Sequence, residues 1–253
     1  MKNMSKCILN FCLLWFMLFS ASCKKNAVVA PVVMAPFYLD LHTFVNTTEI
    51  DTTHPVALDS AGRKIKLTTA QFYVSAIRLM QPTGFYYDLP GGVILKTIGT
   101  NSFYIGNVPV GTYNYVSFNV GLGDPDNSTD PSTYPAGSIL APQVPSMWFG
   151  STVQGYVFMN IQGLADTTAA HNGPLNYPIS YETGRPSELY GVNMPYQPFT
   201  VAAGQNNFIH IACDYGKLLQ PLNFKTQNNV TPFNNPNLAS QIASNARYMF
   251  HYQ

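Results

Sequence analysis

Strict alternation marks the first patterned stretch of the chain. Phe37, Leu39, Leu41, Thr43 and Val45 fall on one side, and Tyr38, Asp40, His42 and Phe44 on the other. A period of two is that of a strand with one buried face. The polar, turn-rich segment 46–62 reads as a long loop. Lys64–Leu67 and Ala70–Met80 then read as two strands, the second rich in the aromatic and β-branched residues that strands favour. Further strands are expected over 93–98, 102–105, 113–120, 154–161, 179–181, 199–202 and 207–213. Segments 124–145 and 165–178 show no regular period and read as loops; long loops of this kind are usually functional or mobile. One helix is expected, over Pro236–Ala246, where Leu238, Ile242 and Ala246 recur every four residues and Asn237 is placed to cap it. Short strands joined by turns, with no alternation of strand and helix, predict an all-β fold. The expected architecture is an antiparallel sandwich of Ig-like or jelly-roll type with long loops and one short C-terminal helix.

The N-terminus follows a different rule. Lys2 and Lys6 precede an apolar run to Phe19, and Ser20-Ala21-Ser22 leads directly into Cys23. Such a run is too short for a spanning helix and has the form of a secretory leader. A cysteine after small residues resembles the lipobox of bacterial lipoproteins, in which that cysteine is acylated. The expectation is therefore a signal peptide over 1–22, Cys23 as the lipidation site, a tether over 23–36 rich in small residues and proline, and one domain over 37–253. Two acyl chains at about 0.8 kcal/mol per methylene hold a protein stably to a membrane. Of the four cysteines, Cys213 alone would then remain free, so no intrachain disulfide is expected. It sits in an apolar run and reads as a small buried side chain.

Charge narrows the function classes. Charged residues make up 10% of the chain and the net charge is +1, which leaves no footprint for nucleic acid or acidic substrates. There is no G-x-S-x-G elbow, H-E-x-x-H helix, phosphate loop or C-x-x-C pair, so no enzyme is expected. The Asp124-Pro125-Asp126-Asn127-Ser128-Thr129-Asp130 run places oxygen donors at alternate positions, with Asp124, Asp126 and Asp130 as candidate calcium ligands. An EF-hand is excluded, because its sixth and twelfth positions are Thr129 and Pro135. The same residues also suit turns that bond their own backbone. Met147 and Trp148 lie beside the strand that begins near Gln154. A thioether and an indole among imidazoles suit copper(I), and the same pair also suits a core.

Several blocks in order resemble the MbnP-like family of periplasmic copper-binding proteins and their lipoprotein relatives. Gln71-Phe72-Tyr73-Val74-Ser75-Ala76-Ile77-Arg78-Leu79 is similar to the family's Y-Y-x-S strand. Val108-Pro109-Val110-Gly111-Thr112-Tyr113 with Phe118-Asn119-Val120-Gly121 is similar to its V-P-x-G-x-Y…F-x-x-G block. Met147-Trp148 with Gly155-Tyr156-Val157-Phe158 and Gln162-Gly163 is similar to its M-x-W…G-Y-x-F block, and Leu238–Phe250 to its closing helix. The resemblance implies an extracytoplasmic β-sandwich that binds copper through histidines and an oxidised tryptophan made by a dihaem cytochrome peroxidase-like partner. Where the family often has histidines, this chain has Asp126-Asn127-Ser128 and Tyr181-Glu182-Thr183-Gly184.

The resulting expectation is a non-catalytic lipoprotein, anchored through its lipid and facing the periplasm from the outer membrane. Copper is the candidate cofactor, with Met147, Trp148, Glu182, His42 and His171 as candidate ligands. The alternative is a glycan- or protein-binding adhesion module, motivated by Tyr86, Tyr87 and Tyr134 on expected loops.

Overall fold

β1 (Met34–Val45) runs through the middle of a five-stranded sheet. On one side it pairs in parallel with β14 (Asn207–Asp214), which carries β16 (Phe250–Tyr252). On the other it pairs with β7 (Ser102–Pro109) at one end and β2 (Thr48–Glu49) at the other. The computed structural model describes residues 31–89, 92–220 and 222–253. The expected signal peptide, Cys23 and the tether as far as residue 30 lie outside them. Because β1 begins at Met34, the last three residues of the expected tether belong to the sheet.

The second sheet is built on β4 (Lys64–Met80). Its order is β12 (Tyr190–Asn193), β9 (Tyr115–Val120), β4, β10 (Met159–Ala165), β11 (Tyr177–Thr183) and β15 (Asn229–Val230). Three further strands, β3 (Val56–Leu58), β5 (Tyr86–Asp88) and β6 (Ile94–Lys96), also pair with β4. A separate ribbon joins β8 (Gly111–Tyr113) to β13 (Phe199–Val201). The all-β sandwich is as expected. Most pairings are antiparallel, while β1/β14 and β11/β15 are parallel. The segment 46–62 is less of a loop than its polarity suggests, since it contains β2 and β3.

β4 also corrects the sequence reading. A single 17-residue strand replaces the two expected ones. Opposite β10, Leu67 and Thr69 face the consecutive residues Gly163 and Gln162, so one extra residue bulges out at Thr68. Opposite β9, Ser75 and Arg78 face Asn119 and Ser117, and a second extra residue falls near Ala76, which has φ 49°. Each bulge shifts the alternation by one position. Ile65 and Leu67, then Ala70, Phe72 and Val74, then Ile77 and Leu79, therefore all reach the same core. The shift in phase is what makes a continuous strand read as a broken one.

The intersheet core takes Phe37, Leu39 and Leu41 from β1, Ile209 and Ile211 from β14, and Met159, Ile161, Ile179 and Tyr181 from β10 and β11. One end is closed by α1 (Tyr215–Leu219), absent from the sequence reading, and α2 (Pro236–Met249). The expected Leu238, Ile242 and Ala246 are buried, but the cap is Asn235, whose side chain accepts from Leu238 N at 3.3 Å. Pro236 explains the offset: proline is tolerated at the first helical position, which makes the residue before it the cap. Asp214 caps α1 by accepting from Gly216 N, and it also accepts from Asn46 N in the turn after β1. Among the described residues no helix is long and apolar enough to cross a membrane.

Candidate functional site

Tyr38, Asp40, His42 and Phe44 point away from the core of β1, as the alternation predicts. In the parallel ladder, Asp40 stands opposite His210 and His42 opposite Ala212. Alternation along β14 then brings His210 to the same outer face, beside Asp40 and His42. Ligand atoms of Asp40, His42 and His210 lie within 4.8 Å of one another. Among the described residues this is the one group of three or more His, Cys, Asp or Glu side chains placed to share a metal ion.

Each member is held. Asp40 Oδ1 accepts from Ser102 Oγ of β7 at 2.6 Å, while its Oδ2 stands 3.3 Å from Nδ1 of His210. His42 Nδ1 lies 2.7 Å from Oε1 of Glu49 on β2. A carboxylate can only accept, so Nδ1 carries the hydrogen, and in the neutral ring Nε2 is then the lone-pair nitrogen. That Nε2 is buried and has no hydrogen-bond partner. The histidine rings are 5.8 Å apart, and His251, opposite Ala212 on β16, stands on the same face. Tyr104, Tyr38 and Phe208 form an aromatic row beside the group, with ring centroids 5.3 and 4.9 Å apart.

The residues chosen from sequence as a single metal set are not brought together. Met147 is fully buried in a second apolar cluster, with Tyr73, Tyr156, Val157 and Phe158, on the far side of β4 from the main core. Trp148 packs edge-on against Tyr156 at 4.9 Å. The adjoining 140 Å³ pocket is lined by Tyr73, Asp130, Gln143 and Ser146 among others, and by no imidazole. With no imidazole lining that pocket, Met147 and Trp148 lack the histidine partners that the resemblance implies for copper. Glu182 stands on the outer face of β11, opposite Asn160 and away from His42, and burial pushes its carboxyl above the usual range. His171 lines a separate cleft of about 380 Å³ with Arg63, Asp166, Phe224 and Lys225. Of the five residues, His42 alone belongs to the candidate site.

The three candidate calcium ligands of the acidic loop are not gathered into one group either. Asp130 Oδ1 accepts from Ser132 N at 2.8 Å and Asp126 Oδ1 from the Tyr134 hydroxyl at 3.2 Å, within two short 3₁₀ turns at Asp126–Ser128 and Pro131–Thr133. Asp124, Asp126 and Asp130 form no shared ligand group. The loop is pinned over β4 by Tyr73 and Tyr156, whose hydroxyls donate to the carbonyls of Ile139 and Leu140. The tyrosines expected on exposed loops are engaged as well. Tyr86 lies under the Arg78 guanidinium, Tyr87 packs on the main core and Tyr134 on the second cluster.

Sequence reasoning missed Asp40 and His210. The signal for Asp40 was its place two residues before His42 on one strand face. Nothing in the sequence pairs the first strand with one so distant, which is what brings in His210.

The model of the MbnP family matches residues 34–235, most of the chain. The chain belongs to the MbnP family. Its structure is similar to that of MbnP from Methylosinus trichosporium, with a TM-score of 0.51, 16% identity, and coverage of 75% of this chain and 78% of that one. At that identity the likeness speaks to the fold alone. Among curated proteins none matches the chain. Within the MbnP fold, Asp40 and His42 lie on the strand that opens the matched region.

Proposed function

We propose that this MbnP-family chain is a non-catalytic metal-binding lipoprotein of the bacterial envelope, holding one transition-metal ion through Asp40, His42 and His210. The observation that carries the reading is the convergence of two imidazoles and a carboxylate within 4.8 Å, one imidazole nitrogen being buried without a partner. Imidazole and carboxylate donors suit first-row divalent metals, and copper is the metal that the family resemblance implies. Cys23 would tether the domain to the outer membrane, facing the periplasm. The purified protein is loaded separately with copper and zinc and its metal content read by elemental analysis. Near-stoichiometric metal that is lost in His210→Ala and Asp40→Asn supports the reading. No metal, or equal metal in wild type and both variants, overturns it.

A second reading, a glycan-binding module, draws on the Tyr104–Tyr38–Phe208 row, in which Tyr104 and Phe208 are exposed, since aromatic side chains at a surface suit partners that are part apolar and part wet. A glycan array probed with wild type and Tyr38→Ala tests it, and a silent array removes it.

A further inference from the structure

We infer that Glu49 is the positioning residue of the Asp40/His42/His210 site, and that the site selects a borderline divalent ion such as zinc(II) or copper(II) over copper(I) and calcium. The inference rests on the metal-binding reading of that site and says how it is tuned.

The hairpin after β1 carries the argument. Asn46, with φ 58°, turns the chain so that Glu49 returns opposite Phe44. From there its carboxylate reaches the ring of His42, two residues back along β1, at 2.7 Å. Glu49 is about half exposed and His42 mostly covered, with side-chain exposures of 48% and 23%. A half-exposed hydrogen bond of this kind contributes little to stability. Its effect falls on the imidazole, where it sets the tautomer, fixes the ring plane and raises the basicity of the opposite nitrogen. That is the role of the carboxylate in a carboxylate–histidine–metal arrangement. The opposite nitrogen here is Nε2, already out of water and lacking a donor. A buried acceptor left unpaired is unfavourable, and a metal ion supplies what it lacks.

The donor set then chooses the ion. Two nitrogens and one carboxylate offer no sulfur; the buried Cys213, with its thiol pushed up to about 12, lies outside the ligand group. Thiolate and thioether ligands select copper(I), whereas a set of nitrogen and oxygen donors suits copper(II), and imidazole suits zinc. Calcium takes six to eight oxygens, and this site offers one carboxylate. Three protein ligands leave positions for water, as in open zinc sites.

The test is competitive titration of the full protein with zinc(II), copper(I) under anaerobic conditions, and calcium, for wild type, Glu49→Ala, Glu49→Gln and His210→Ala. It is joined by nitrogen NMR of the His42 ring in the metal-free protein. Expected are a roughly 10–100-fold loss of zinc affinity in Glu49→Ala, partial recovery in Glu49→Gln, and a His42 ring protonated at Nδ1 in wild type but mixed in Glu49→Ala. Zinc affinity within twofold of wild type in Glu49→Ala, with binding lost in His210→Ala, overturns the role of Glu49 and leaves the site standing. Zinc binding unchanged in His210→Ala removes the site itself. Displacement of zinc by equimolar copper(I) or calcium overturns the metal class.

Discussion

Asp40 and His210 share one rung of the parallel ladder between β1 and β14, and their side chains meet at 3.3 Å on the solvent side. A metal ion between them would tie the strand that opens the domain to one near its end. A ligand that binds the folded state alone stabilises it by mass action, by about 2.7 kcal/mol at a hundred times its dissociation constant. Zinc or copper(II) is therefore expected to raise the melting temperature of the wild type by several degrees. His210→Ala should abolish that rise while leaving the metal-free melting temperature close to wild type, because the His210 side chain is 51% exposed. Differential scanning calorimetry with and without metal reads both quantities.

Lys96 gives the fold a pH signature of its own. Its side chain is fully buried, and Nζ donates to Thr43 Oγ1 at 2.8 Å, to Asn101 Oδ1 at 3.2 Å and to the carbonyl of Thr97. No carboxylate is among these partners, and burial lowers its pKa from 10.5 to about 8. Below pH 8 both folded and unfolded chains hold the proton and stability does not vary on its account. As pH rises through 8 the folded chain releases the proton first, the unfolded chain binds more protons, and stability increases. The gain expected between pH 8 and 9 is about 1 kcal/mol. Above pH 9 the Cys213 thiol, raised from 9 to about 12, works in the opposite direction. Urea unfolding at pH 7, 8 and 9 should show the rise in wild type and a flat profile in Lys96→Met.

Gly163 sits where β10 meets the first bulge of β4. A Cβ there would stand 2.1 Å from the carbonyl oxygen of Lys66, a backbone atom that cannot rotate away. Gly163→Ala is expected to destabilise by about 1–3 kcal/mol, the range of overpacking in a close-packed interior. Gly204→Ser is the contrast: at φ 74° it adds backbone strain but meets no atom within 4 Å, so its cost should be the smaller. Chemical denaturation midpoints of the two variants give the comparison.

Much of the fold was legible because alternation is local. β1 has the face assignment the pattern predicts, down to the buried Thr43, and the C-terminal helix buries the residues expected of it. β4 was misread because its first bulge, at Thr68, changes the phase of a continuous strand where the pattern breaks between Leu67 and Ala70. The site was legible only in part, for a different reason. Asp40 and His42 declare a shared strand face, but His210 joins them through a parallel pairing that depends on the whole intervening chain. Met147 and Trp148 suit a core as well as a soft metal, and the core is where they lie: Met147 within a second apolar cluster and Trp148 packed against it.

Trp148 separates the site on the first sheet from the loop suggested by family resemblance. Its ring meets Tyr156 edge-on at 4.9 Å, and its backbone nitrogen donates to Ser146 Oγ at 3.2 Å. Tyr156 is the more deeply embedded of the pair: 1% exposed, with its hydroxyl donating to the Leu140 carbonyl at 2.6 Å. Trp148→Phe keeps an aromatic ring in place and should lower stability by about 1 kcal/mol, the size of an aromatic pair contribution. Tyr156→Phe keeps the ring and removes the donor, leaving a carbonyl unpaired at a cost of about 1–3 kcal/mol. Neither change touches Asp40, His42 or His210, so both variants should take up metal with wild-type stoichiometry. Urea denaturation and elemental analysis of the same preparations decide the matter. Loss of metal in Trp148→Phe with the fold intact would place the ion at the loop and not on the sheet.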